Sequence, residues 1–107
     1  MLNYPAWKNG KYCKVGDLNV SVLDLGLIHC DATYDVIAVK NNQIQNLEAH
    51  LHRFVSSCSG WRIPLNFSIE DIKIVLETLV GQAPSDDLLL WIGVTRGIPT
   101  SGNPRDL

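Results

Sequence analysis

The chain has 107 residues, 46% of them hydrophobic, and a formal net charge of −2 with the histidines neutral. This length and composition predict one compact globular domain with its own core, and they exclude a disordered or fibrous chain. The basic residues are scattered along the sequence without a polybasic cluster. Nucleic acid and anionic membrane surfaces are therefore not expected as partners.

The cysteines argue against a disulfide framework. Cys13, Cys30 and Cys58 are odd in number and share no CxxC spacing, so neither a complete set of disulfides nor a zinc site is predicted. The N-terminus lacks the apolar segment of a signal peptide, and no apolar run approaches the roughly 20 residues that cross a bilayer. We expect free thiols, no bound metal and a cytoplasmic location.

Short strands and tight turns are predicted in the first half of the chain. Asn9-Gly10 predicts a type I′ hairpin, because both residues accept a positive φ. Val20–Leu23 is a short β-rich segment, and Asp24-Leu25-Gly26 is predicted to break it as a turn. The segment Thr33–Val39 is rich in β-branched and aromatic residues and is followed, after Asn41-Asn42, by a short strand Gln43–Gln45.

Two helices and a further strand complete the predicted elements. Asn46 is the predicted N-cap of a helix that ends at Ser59-Gly60. Ser68 followed by Asp71 predicts the start of a second helix, which ends at Gly81. Residues 88–95 are almost continuously apolar, which favours a buried central strand over an edge strand.

This order of elements predicts an α+β domain, with two helices packed on one face of a mainly antiparallel sheet. The tail, residues 96–107, is rich in glycine and proline and has no partner element. We interpret residues 1–107 as a single small domain truncated inside a longer protein, with residues 96–107 as a loop toward a further domain.

His50 and Arg53 are the first candidates for chemistry. They lie three positions apart and therefore share one face of the first predicted helix. Such a pair is more often a solvated surface than a site. The functional alternative is that Arg53 binds a phosphate or carboxylate, for which its planar, permanently charged fork is suited.

The other candidates lie in strands and loops. Tyr34 is either a core aromatic or a ligand contact, and the acidic residues Asp31 and Asp35 beside it indicate hydrogen-bonded supports or a polar site. His29 is a loop histidine with or without a role.

Arg96 and Arg105 bracket the glycine- and proline-rich loop, where they serve either binding or solubility. A catalytic cysteine is not expected, since Cys58 falls on an apolar stripe and Cys30 lacks a motif. Motifs for hydrolysis or nucleotide chemistry, such as GxSxG, GxGxxG, HExxH and the P-loop, are absent from the sequence.

Taken in order, several of these segments resemble the N-terminal small domain of fold-type IV, class IV pyridoxal-phosphate aminotransferases. They are the hairpin Trp7–Lys11, the Asp24–Gly26 turn, the Asp31–Asp35 stretch in place of Gly-Asp-Gly-Phe/Tyr-Glu, the His-x-x-Arg of His50 and Arg53, and Val94-Thr95-Arg96-Gly97. Within the family, Gly26-x-x-His29-x-Asp31-x-Thr33-Tyr34-x-Val36 is most similar to (R)-selective amine transaminases. D-amino-acid and branched-chain aminotransferases usually keep a glycine where this chain has Ala32.

The resemblance implies roles for matching residues. Arg53 would hold the phosphate of pyridoxal 5′-phosphate, while Tyr34, His29, Arg96 and Arg105 would contact substrate. The family's Schiff-base lysine lies in a second, larger domain, and none of the lysines at positions 8, 11, 14, 40 and 73 matches it. The chain alone would then be inactive, and the full-length protein would be a homodimer.

The resemblance also limits the possible reactions. The implied reaction moves an amino group between a primary amine or amino acid and a keto acid, and it is of the (R)-amine or D-amino-acid type. On the same fold the alternatives are an aminodeoxychorismate lyase and a branched-chain aminotransferase. A non-catalytic module that binds an anion or a partner through Arg53 is the alternative from another class.

Overall fold

A computed structural model of the chain describes residues 1–103. Its strands and α-helices follow one another as β1 (Pro5–Lys8), β2 (Lys11–Lys14), α1 (Leu25–Ile28), β3 (Ala32–Lys40), β4 (Gln43–Ile44), α2 (Leu47–Gly60), α3 (Ile69–Gln82) and β5 (Leu88–Thr95). A 3-10 turn at Val15–Asp17 follows β2. The three strand pairings within residues 1–103 are antiparallel, which confirms the predicted class of fold.

The predicted hairpin is present at the start of the chain. Strands β1 and β2 pair with Trp7 opposite Tyr12, and Asn9 and Gly10 turn between them at φ values of 50° and 92°. Trp7 packs edge-on against Phe67 just before α3, with ring centroids 5.0 Å apart. The hairpin therefore packs against the segment that leads into α3.

The second sheet has the order β4-β3-β5, with β3 in the centre. The prediction that residues 88–95 form a buried central strand is wrong, because β5 lies at the edge of this sheet and only one of its faces is covered. Leu90 faces the core and is buried, whereas Leu89 and Trp91 are exposed on the other face. Both faces carry apolar side chains, so the sequence shows no alternation between hydrophobic and polar residues.

The core lies between β3, β5 and the two longer helices. The sheet contributes Ile37, Val39 and Leu90, α2 contributes Leu51, and α3 contributes Leu76 and Val80. This arrangement confirms two helices packed on one face. It also confirms that Asp35, Ile37 and Val39 share the helix-facing side of β3, since all three are buried.

The two long helices begin by different means. Ser68 and Asp71 form a capping box at the start of α3, with Ser68 Oγ accepting from the Asp71 amide and the Asp71 carboxylate accepting from the Ser68 amide. Asn46 occupies the predicted cap position of α2, but it is left-handed at φ 53° and its side chain makes no capping hydrogen bond. The helix boundary was predicted correctly there and the capping mechanism was not.

The segment before β3 differs from its prediction. Residues 20–23 form no strand, and the predicted turn at Asp24–Gly26 is the start of the short helix α1, capped by Asp24, which accepts from the Gly26 amide at 2.8 Å. Leu25 is buried, and a Cβ on Gly26 would lie 2.4 Å from a side-chain carbon of Thr95. Helix α1 therefore packs so closely on the end of β5 that position 26 has no room for a side chain.

None of the helices in residues 1–103 combines the length and apolar character that crossing a membrane would need.

Candidate functional site

A buried carboxylate lies where β3 meets α2. Asp35 lies next to the core residue Ile37 on the same face of β3 and is 6% exposed, the single buried polar or charged residue among residues 1–103. Burying an unpaired carboxylate is costly, so such a group requires charged or hydrogen-bonding partners. Helix α2 provides them.

Two side chains one helical turn apart on α2 bind Asp35. Arg53 donates from Nε to Oδ2 at 2.9 Å and from Nη2 to Oδ1 at 2.8 Å, which is a bidentate fork. His50 places Nδ1 3.1 Å from Oδ1, and the backbone amide of Val36 donates to the same oxygen at 2.8 Å. The side chains of Arg53 and His50 thus join α2 to β3.

The Arg53 guanidinium lowers the pKa of Asp35 from its ordinary 3.8 to about 2, against the opposing effect of burial, with His50 and the Val36 amide contributing further. Asp35 in turn raises the pKa of Arg53. Both groups are therefore ionised throughout the physiological pH range.

The outer side of Arg53 is open. Its side chain is 66% exposed, and within residues 1–103 its Nη1 amino group has no hydrogen bond to the protein. The distance from Nη2 to His50 Nδ1 is 3.2 Å, and Nδ1 can accept from Arg53 only in the tautomer that leaves Nδ1 unprotonated. One edge of the guanidinium is thus held by the protein while the other can receive an anion.

A second arginine–carboxylate pair lies where β3 begins and β5 ends. Arg96 donates to Asp31 from Nε at 2.5 Å and from Nη2 at 3.2 Å, and it also donates to the carbonyl oxygens of Trp61 and Arg62, each at 2.9 Å. The guanidinium ties the end of β5 to the residue before β3 and to the end of α2. Most of its donors are used inside the chain, and its substrate contact stays a prediction.

Tyr34 lies on the face of β3 that points away from the helices. It is 64% exposed and stacks on Trp91 of β5 with ring centroids 5.7 Å apart and an interplanar angle of 17°. Of the two sequence alternatives, a core aromatic is excluded by this exposure. Trp91 was not singled out from the sequence, because its proximity to Tyr34 follows from the pairing of β3 with β5.

The remaining predicted site residues are His29 and Arg105. His29 is exposed at the C-terminal end of α1, where its backbone amide donates to the carbonyl of Leu25 at 3.0 Å. Arg105 lies outside the described residues. The structure therefore joins Arg53 with His50 and Asp35 on one side of β3, and it places Tyr34 on the opposite side.

Known proteins share both this fold and parts of this sequence. The D-alanine aminotransferase of Staphylococcus aureus is 28% identical over 90 residues, which make up 84% of this chain and 32% of that protein. The structure of a 4-amino-4-deoxychorismate lyase from Pseudomonas aeruginosa is 31% identical, with a TM-score of 0.61 over 81% of this chain and 31% of that one. The Escherichia coli branched-chain amino acid aminotransferase has the same fold, with a TM-score of 0.85, 17% identity, and coverage of 97% of this chain and 36% of that chain.

The chain thus spans about a third of the length of the proteins it matches. The model of the amino-transferase class IV family matches residues 32–106, a segment that includes β3, the Asp35–Arg53 pair and β5. The match covers well over half of the chain and agrees with the architecture. The chain belongs to the class IV aminotransferase family, as a fold-type IV N-terminal domain.

Proposed function

We propose that residues 1–107 are the small domain of a pyridoxal-phosphate-dependent transaminase, which moves an amino group between a primary amine or amino acid and a keto acid. The observation that carries this proposal is the Arg53 fork, which Asp35 holds on one edge and which is open on the other. It lies inside the segment that the family model matches.

The residues present fit the phosphate end of the cofactor. Arg53 is permanently charged, two-thirds exposed and oriented by a buried carboxylate, and these are the properties of a guanidinium that binds a phosphate. When bound, pyridoxal 5′-phosphate supplies the electron sink that transamination requires. The part of this chain is to hold the phosphate through Arg53.

The substrate pocket is proposed on the other face of β3. Tyr34 and Trp91 form an exposed aromatic pair that offers an apolar wall to an amine or amino acid. His29, Arg96 and Arg105 would complete the pocket, with an arginine contacting a carboxylate of the substrate. Arg96 would do so with the donor that its ties to Asp31, Trp61 and Arg62 leave.

The lysine that carries the cofactor would lie in a second domain. The lysines of this chain lie on strands and helices without the family's motif, and Lys73 is paired with Glu48 of α2 and with Glu70 of its own helix. We therefore expect the chain alone to be inactive. From the family resemblance we also expect the full-length protein to be a homodimer, and we propose a cytoplasmic location.

The substrate class is proposed as an (R)-amine or a D-amino acid. The stretch from Gly26 to Val36 supports the first, and the sequence similarity to a D-alanine aminotransferase supports the second. The alternatives are an aminodeoxychorismate lyase or a branched-chain aminotransferase, whose folds are shared. A module that binds an anion without catalysis is the alternative from another class.

The test is to assay the product of the complete gene with (R)-1-arylethylamine, D-alanine, a branched-chain L-amino acid and aminodeoxychorismate. Transfer of the amino group from one of the first two donors to a keto acid is expected. Turnover of aminodeoxychorismate or of the L-amino acid alone would replace the proposed substrate class. A protein that binds the cofactor and turns over none of the four would favour the non-catalytic module.

A further inference from the structure

We propose that Asp35 is a positioning residue of the phosphate site and that His50 holds Asp35 in place. The inference rests on the proposed function of Arg53. Asp35 is held on β3 inside the core face, and it accepts both Nε and Nη2 of Arg53. Binding two donors of a planar group fixes the plane as well as the position of that group.

Orientation matters here because the arginine side chain is long and exposed. Without a partner, a side chain that is 66% exposed would sample many rotamers, and an anion would have to select one of them. With the Nε edge fixed on Asp35, Nη1 points away from the carboxylate toward the open side. The site is then organised before the cofactor arrives.

His50 supports the carboxylate rather than the anion. Its Nδ1 is 3.1 Å from Oδ1 of Asp35, and the Val36 amide lies 2.8 Å from the same oxygen. With a proton on Nδ1 of His50, Oδ1 accepts from the Val36 amide, from His50 and from Arg53, and three donors restrict the rotation of the carboxylate. His50 is a secondary support, so its loss should have a smaller effect than the loss of Asp35.

The net charge of the site and the orientation of Arg53 predict opposite effects of an Asp35 substitution on the binding of pyridoxal 5′-phosphate. Asp35 carries a negative charge beside the arginine that would bind a phosphate, so its removal makes the site more positive by about one unit. If net charge governed binding, Asp35→Asn would strengthen the binding of pyridoxal 5′-phosphate. If orientation governs it, the same variant weakens binding, which is the outcome we expect.

The experiment measures dissociation constants of pyridoxal 5′-phosphate and of pyridoxal, which lacks the phosphate, for the apo form of the full-length protein. For Asp35→Asn we expect about tenfold weaker binding of pyridoxal 5′-phosphate, while the dissociation constant of pyridoxal should change by less than about twofold. Asp35→Glu should recover part of the loss, because it restores the charge and both acceptors. His50→Ala should weaken binding of the phosphorylated compound about threefold.

Asp31→Asn is the matched control, because it breaks the other arginine–carboxylate fork of the chain and should leave both constants unchanged. Unchanged or tighter binding of pyridoxal 5′-phosphate to Asp35→Asn would overturn the proposal, and so would a parallel loss for both compounds. If Asp35→Asn does not fold, the His50→Ala measurement decides by the same criteria. Arg53→Ala separates the phosphate role of Arg53 from the positioning role of Asp35. An unchanged dissociation constant of pyridoxal 5′-phosphate for Arg53→Ala would refute the phosphate role of Arg53 itself.

Discussion

Asp35 occupies a position on β3 where the alternation of the strand calls for a core side chain. Its neighbours on the same face, Ile37 and Val39, are completely buried, yet Asp35 remains ionised because Arg53 and His50 bind it. The sequence indicated a supported carboxylate, but its partners lie 15 and 18 positions further along the chain. Such a separation is bridged only by the packing of α2 on β3.

The first prediction concerns the pH dependence of unfolding. The folded pKa of Asp35 is lowered to about 2 from 3.8, so its stabilising contribution is present above about pH 4 and is lost as the pH falls toward 2. We expect a loss of about 1 kcal/mol, since solvent around the exposed Arg53 screens the pair. Urea unfolding of the chain across this range measures it.

Asp35→Asn provides the control for that measurement. The variant should be less stable at neutral pH and should lack this part of the acid dependence, because the titrating group is gone. An acid dependence identical to that of the unmodified chain would show that other carboxylates are responsible.

The second prediction concerns Gly93, which lies opposite Tyr34 on the paired strands. A Cβ at this position would lie 2.3 Å from the nearest ring carbon of Trp91, so Gly93→Ala should force the exposed indole to rotate off Tyr34. We expect a small change in stability, below about 1 kcal/mol, together with a changed near-ultraviolet circular dichroism spectrum.

Gly81→Ala is the matched control, because its Cβ would meet nothing within 4 Å inside α3. There the substitution should stabilise the chain by about 0.5 to 1 kcal/mol through helix propensity and leave the aromatic spectrum unchanged. An unchanged aromatic signal in Gly93→Ala would contradict the predicted displacement of the Trp91 indole from Tyr34.

At the scale of elements, α2 and α3 show which predictions local sequence supports. Ser68 and Asp71 lie within one turn of each other, so their capping box could be predicted and is confirmed. The ends of α2 and the Asn9-Gly10 hairpin were likewise predicted from neighbouring residues. Helix α1 and the edge position of β5 were not, because both depend on contacts with distant parts of the chain.

The third prediction compares the two helix starts. Ser68→Ala should lower the free energy of unfolding by about 1 kcal/mol, because it leaves the Asp71 amide without its acceptor. Asn46→Gly should change it by less than about 0.5 kcal/mol, since the position requires left-handed backbone rather than a side-chain cap. Chemical denaturation of both variants measures the difference. A large loss for Asn46→Gly would show that its side chain does contribute.

At the scale of the whole molecule, the two faces of β3 carry different groups of candidate site residues. Its helix-facing side holds the Asp35–Arg53 pair, and its other side carries the exposed Tyr34–Trp91 stack. The family pattern predicts a phosphate role for Arg53, and that role stays a prediction. The orientation of Arg53 on Asp35 could not be predicted, because it depends on tertiary packing. We propose that the phosphate of the cofactor binds on the helix-facing side and that the substrate contacts the other side.

The central claim is that Arg53 binds the phosphate of the cofactor, and the most direct measurement is the dissociation constant of pyridoxal 5′-phosphate for the full-length protein and its Arg53→Ala variant. His52→Ala, an exposed position on the same helix, is the control. Because a charge-assisted hydrogen bond to phosphate is lost, we predict at least about tenfold weaker binding for Arg53→Ala and no change for His52→Ala. Equal affinity of the Arg53→Ala variant and the unmodified protein would contradict the account.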